Sequence, residues 1–261
     1  MNDILKNICD QKKIEIEINK NKCSYSSLQK LIKNKVNRNF RNLVIDSQKK
    51  LTNNIIGEIK KSSPSAGLII KDYYPENIAI NYEKSGVGAL SILTEKNFFS
   101  GSIDDLSLVS KKTNIPILRK DFIIDPYQIL ESKIYNADAI LLIATILNDL
   151  EIKNFINLSK KYNLDCLIEV HNEEELKRIL NIGYPVIGIN NRNLKNLNVD
   201  SNYALNLISK IPKDFTIIAE SGIKSKEDIL KYNEVGVFNF LIGESILKSS
   251  NITKKVKELL N

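Results

Sequence analysis

The sequence predicts an α/β fold, a (β/α)8 TIM barrel with an N-terminal helical extension, on three observations. Past residue 54 the chain holds eight short apolar, β-branched runs, starting roughly every 20 to 35 residues, the length of a βα unit. Amphipathic stretches of helical period lie between them. The runs are near-continuously apolar rather than alternating, as parallel strands covered on both faces are. Eight such units in about 200 residues fit a closed barrel better than an open doubly wound sheet.

In chain order the runs are NIIGEIK (54–60), GALSILT (88–94), IPILRKDF (115–122), ADAILLIAT (137–145), DCLIEV (165–170), PVIGIN (185–190), FTIIAES (215–221) and FNFLIG (238–243). LNDLEIKNFINLSKKYN and NEEELKRILNIG are helices between them, the second closing on Gly183 as a C-cap would. In the first 50 residues YSSLQKLIKN and FRNLVIDSQKK read as helices. KKIEIEI (12–18) alternates with period two, as a strand would. Residues 1–261 are taken as one barrel domain, with 1–50 as the extension.

Composition narrows the function classes. With 43% hydrophobic and 26% charged residues, the chain is expected to be a soluble globular protein. The net charge is +7, but the lysines are scattered rather than striped, so no nucleic-acid partner is expected. Some of that charge suits an anionic small substrate. Three widely spaced cysteines and a single histidine, His171, leave almost no material for a zinc site or a Ser-His-Asp triad, so no metal is expected. The N-terminus lacks the apolar core of a signal peptide. The longest apolar run, residues 139–147, is too short to span a bilayer. No membrane association is expected, and the expected location is cytoplasmic.

Chemistry in such a barrel sits at the C-terminal ends of the strands. Here the first strand ends in Glu58 and Lys60, the third in Lys120, the fifth in Glu169, the sixth in Asn190 then Arg192, and the seventh in Glu220 and Ser221. Parity places Lys120 with Leu118 and Glu169 with Leu167, facing inward. Charges of both signs on five strands fit either a structural ring of ion pairs or an acid–base site, and the repetition favours the second. The last two strands end in AESGI and LIGES. Each puts a glycine, Gly222 or Gly243, before a helical stretch, which suits phosphate better than plain turns do. Arg119, of opposite parity to Lys120, is expected to face the helices and pair with a carboxylate. His171 reads as a helix-start residue rather than a catalyst.

The segments GEIKKSSPSAG, SILTEKNFFSGS, ILRKDFIIDPYQI, IEVHNEEEL, IGINNRNL, AESGI and FLIGES resemble, in order, the signature segments of the indole-3-glycerol-phosphate synthase family. The resemblance covers residues 50–250, and the helical N-terminus is similar to that family's extension. It departs at Ser62, where alanine is common, and at Glu244, where serine is also seen, which makes a backbone role at 244 the expected one.

That resemblance implies a decarboxylating ring closure of 1-(2-carboxyphenylamino)-1-deoxyribulose 5-phosphate to indole-3-glycerol phosphate, carbon dioxide and water, in tryptophan biosynthesis, with no cofactor. By the same resemblance Lys120 is the general acid at the ketone oxygen, its pKa expected to be lowered towards neutrality by burial and neighbouring cations. Lys60 protonates the leaving hydroxyl and Glu58 is the base. Glu169 positions Lys120, while Asn190 and Glu220 hydrogen-bond the substrate hydroxyls. Phe122 and Leu241 belong to the substrate pocket, Phe122 as a wall against the aromatic ring, and Ser63 and Pro64 shape the loop near the anthranilate carboxylate. Phosphate meets Lys60, Arg192, Ser221, Gly222, Gly243 and the backbone of Glu244. The expected partner is a phosphorylated small molecule, and the expected state a monomer or weak homo-oligomer.

Overall fold

The computed structural model describes residues 3–32, 37–192 and 200–261. Eight strands, β1 (Asn54–Ile59), β2 (Ala89–Leu93), β3 (Ile117–Lys120), β4 (Ala139–Ile143), β5 (Asp165–Val170), β6 (Val186–Asn190), β7 (Thr216–Glu220) and β8 (Asn239–Ile242), close into one barrel. Every neighbouring pair in it is parallel, and β1 is flanked by β2 and β8. Each strand falls within a run expected to form it.

Nine helices follow or alternate with the strands: α4 (Pro75–Lys84), α5 (Asp104–Ser110), α6 (Pro126–Ile134), α7 (Asp149–Lys161), α8 (Glu173–Ile182), α9 (Ser201–Ile208), α10 (Lys226–Glu234), α11 (Glu244–Leu247) and α12 (Ile252–Leu260), counted among the described residues. Local chemistry fixes their ends. Asp125 with Gln128, Asn148 with Glu151 and Ser225 with Asp228 form reciprocal capping boxes at the starts of α6, α7 and α10. Gly183, at φ 76°, ends α8 as expected. Among the described residues no helix is long and apolar enough to cross a membrane.

Before β1 come α1 (Asp3–Lys22), α2 (Tyr25–Leu31) and α3 (Phe40–Lys50). The expected helix over YSSLQKLIKN extends beyond Leu31 to Lys33 and Asn34, which lie outside the described residues. Helix α3 closes the N-terminal end of the barrel. Asn239, the first residue of β8, donates from Nδ2 to Val44 O at 3.0 Å and accepts from Asn54 Nδ2 at 2.9 Å.

KKIEIEI is helical, contrary to the strand its alternation predicts. The buried residues of α1, Leu5, Ile8, Cys9, Lys12 and Ile16, recur at helical spacing and cover one face. Lys12–Glu15 and Glu17–Lys20 pair one turn apart. Ile14 and Ile18 are left outside, at 55% and 49% exposure. A closed barrel offers no free edge for a ninth strand.

Candidate active site

A cavity of about 670 Å³ opens at the C-terminal ends of the strands. All the residues expected at a site line it: Glu58, Lys60, Ser63, Pro64, Lys120, Phe122, Glu169, Asn190, Arg192, Glu220, Ser221, Gly222, Leu241, Gly243 and Glu244. Strand register explains the convergence. Leu93 lies beside Lys120, Glu169 beside Gly188, and Asn190, Glu220 and Leu241 form one row. Alternate residues share the inner face, so these polar ends cap apolar positions such as Leu118 and Leu167, both fully buried.

Lys120 Nζ donates to Glu169 Oε2 and to Glu220 Oε2, at 2.9 Å each. The environment expected for it is corrected here. The charges acting on Lys120 are the carboxylates of Glu169, Glu220 and Glu58, not cations. Burial works to lower its pKa, but the carboxylates outweigh burial and the net direction is up. Lys120 is therefore a firmly held ammonium. The two carboxylates around it differ. Burial pushes Glu220 up to about 8, with Glu169 adding to the push and Lys120 opposing it. Glu169 is held well below the ordinary range because Lys120 and His171 overcome its burial. Asn190 Nδ2 also donates to Glu169 Oε1, at 3.2 Å.

Glu58 is buried and forms an ion pair with Lys60. Gly243 stands so close that a Cβ there would lie 2.6 Å from Glu58 Oε2, so the site needs glycine at that position. The loops after β7 and β8 have the character of an anion site. Ser221 and Gly222 both take positive φ, 66° and 79°, after β7, and Gly243 heads α11. Ser245 Oγ donates to Ile223 O at 2.9 Å, tying the last two loops together. Arg192 is anchored through its backbone N–H, which donates to Asn190 Oδ1 at 3.0 Å.

Several lining residues lay beyond the sequence reading. Ile4, Leu5 and Ile8 of α1, Phe99, Lys224 and Lys248 all reach the cavity. The strand expected over residues 12–18 hid the apolar face of α1, and what that face meets is a tertiary fact. Phe99 stacks obliquely on Phe122 with ring centroids 6.4 Å apart, making the apolar wall a pair. Asn191, also missed, donates from Nδ2 to Ser221 O at 2.5 Å and accepts from Tyr232 Oη at 2.9 Å.

Arg119 faces outward as parity predicts, donating to Asp121 Oδ2 at 3.0 Å and to Gln128 O at 3.0 Å. His171 differs from expectation. Asn172, not His171, caps α8, and the imidazole turns back to Glu169.

The family model for indole-3-glycerol phosphate synthase matches residues 5–259. The chain belongs to the indole-3-glycerol phosphate synthase family. A Thermoanaerobacter pseudethanolicus protein of that name is 45% identical over 257 residues, which cover 98% of this chain and 97% of that one. A Campylobacter jejuni subsp. doylei protein of the same name is 41% identical over 259 residues, covering 98% of this chain and all of that one. Membership in the indole-3-glycerol phosphate synthase family makes the activity that of a carboxy-lyase of tryptophan biosynthesis. Solved structures agree on the fold alone. A 3-hexulose-6-phosphate synthase superposes with a TM-score of 0.62 at 13% identity, over 79% of this chain and 97% of that one. KGPDC from Streptococcus mutans gives 0.60 at 14% identity, over 80% and 95%.

Proposed function

We propose that the cavity performs the ring closure of 1-(2-carboxyphenylamino)-1-deoxyribulose 5-phosphate with Lys120 as the central acid. One observation carries the reading: Lys120 Nζ stands between Glu169 and Glu220 in a cavity that the Ser221–Gly222 and Gly243–Glu244 loops also line. The aromatic carbon that carries the carboxylate attacks the ketone, and negative charge grows on the ketone oxygen. A fixed ammonium at that point stabilises the charge and then transfers its proton. Its raised pKa does not prevent this, because an alkoxide is a stronger base than an amine. Carbon dioxide then departs and the electron pair returns to the ring. Lys60 protonates the leaving hydroxyl, Glu58 accepts the proton that is lost, and the indole forms.

Glu169 orients Lys120 and faces the cationic charge near the anilino nitrogen. Asn190 and Glu220 hydrogen-bond the substrate hydroxyls. Phe122 and Leu241 hold the aromatic ring, with Ser63 and Pro64 near its carboxylate. Arg192, Lys60 and the backbone N–H groups of Ser221, Gly222, Gly243 and Glu244 hold the phosphate. The working form we propose is a cytoplasmic monomer or weak homo-oligomer. Purified protein given the synthetic substrate should generate indole fluorescence and one carbon dioxide per turnover. Absence of both products in folded protein would remove the proposal.

A further inference from the structure

His171 is the one histidine of the chain, and the scheme above gives it no task. It is nonetheless built into the site from behind. Its Nε2 stands 2.9 Å from Glu169 Oε1, an ion-pair distance though off the line of an ideal hydrogen bond. Its Nδ1 lies 3.2 Å from Thr145 Oγ1 and 3.4 Å from Glu175 Oε2. Thr145 donates its hydroxyl proton to Glu175 Oε1 at 2.9 Å, which turns an oxygen lone pair towards Nδ1. The backbone N–H of His171 also donates to Glu175 Oε2, at 2.8 Å, fixing the ring's base. Each ring nitrogen thus faces oxygen acceptors, and a bare nitrogen lone pair on either side would be repelled. The arrangement calls for an imidazolium.

We propose that His171 is a positioning residue that acts through Glu169: as a buried cation it keeps Glu169 ionised and oriented, so that of the two carboxylates sharing Lys120 it is Glu220 that takes up a proton. Glu169 and Glu220 stand at equal distance from Lys120, so Lys120 alone does not tell them apart. Only one of them has His171 behind it. The charged groups around the ring are Glu169 from β5 and Glu175 from α8, with Lys120 from β3 and Glu220 from β7 beyond Glu169. Burial acts against the charge on His171, yet hydrogen bonding and attraction to the two carboxylates push it up to about 9. Two interacting carboxylates that would otherwise titrate as an equivalent pair are given fixed, unequal roles.

The inference rests on Lys120 being the acid and Glu169 the residue that orients it, and its test is separable from that reading. Because there is one histidine, 15N-resolved NMR of the whole protein reports His171 without assignment. Its charge should persist through neutral pH and be lost only near pH 9, and Glu169→Gln should lower that midpoint. His171→Gln should reduce kcat about tenfold or more with little change in KM, and raise the acidic limb of the kcat/KM profile by about one pH unit. A wild-type midpoint near the ordinary value of about 6.5, unmoved by Glu169→Gln, would overturn the proposal. So would a His171→Gln enzyme with an unshifted pH profile. If Lys120 proved dispensable while His171 titrated near 9, the charged imidazolium would stand and the acid assignment would fall.

Discussion

Gly188 makes room for Glu220: a Cβ on Gly188 would stand 2.2 Å from Glu220 Oε1 and 3.2 Å from Leu167 Cδ1. Glu220 is 1% exposed, and its other oxygen accepts from Lys120. The carboxylate has nowhere to retreat without leaving the lysine. Gly188→Ala should therefore cost turnover of order 10- to 100-fold through misplacement of Glu220, while thermal melting shifts by only a few degrees. Steady-state kinetics beside a melting curve checks this, and unchanged kcat would show that the site repacks freely.

Glu58 is held between Lys60 and the bare face of Gly243. If it accepts the proton lost late in the reaction, Glu58→Gln should reduce kcat about a hundredfold, the usual size of acid–base catalysis. The isostere keeps shape and burial, so circular dichroism should be unchanged. A loss of less than about threefold would leave Glu58 a purely structural partner of Lys60.

Lys12 of α1 is 2% exposed and reaches Asp121 Oδ1 at 3.0 Å. Burial would raise Asp121, but Lys12 and Arg119 overcome it and hold the carboxyl down at about 2. Breaking such a pair leaves a buried charge short of a partner. Lys12→Met should destabilise the fold by about 3 kcal/mol in denaturant unfolding. The loss should shrink in acid: Asp121 stabilises above its unfolded pKa near 3.8, and that contribution disappears as pH falls through about 2. Because Ile4, Leu5 and Ile8 carry α1 into the cavity wall, KM should rise as well.

Glu220 gives the opposite pH signature. Its folded pKa, about 8, lies above the unfolded value near 4.5, so between those values the native state binds the extra proton. Its contribution to stability therefore declines as pH rises from about 4.5 through 8. Glu220→Gln cannot ionise and should gain stability relative to wild type across that window. Urea midpoints at pH 5.5 and 8.5 test the sign. A gap between the two proteins that stays constant with pH would place Glu220 among ordinary ionised carboxylates.

The barrel was legible because its strands are apolar on both faces and end in charges at regular intervals, from Glu58 to Glu220. Parity correctly sent Lys120 inward and Arg119 outward. What misled was local pattern without tertiary context. Ile14, Ile16 and Ile18 alternate as a strand would, yet the helix around them is fixed by one buried face, with Leu5 and Ile8 at the cavity, Lys12 paired with Asp121 after β3, and Ile16 packed with Tyr127 and Leu130 of α6. The electrostatics of Lys120 were misjudged for a similar reason. Its neighbours come from β5 and β7, 49 and 100 residues away, and only closure of the barrel decides that they are carboxylates rather than cations. The cap on α8 was read one residue early, which hid the turn of His171 towards Glu169.

The account depends most on an ammonium on β3 that meets the ketone oxygen as the new ring bond forms. Lys120→Met retains the length and apolar stem of the side chain but has no proton to give. Single-turnover formation of indole-3-glycerol phosphate by this variant, with its fold verified by circular dichroism, is predicted to slow by about a hundredfold or more. Product formation at close to the wild-type rate in that folded variant would contradict it.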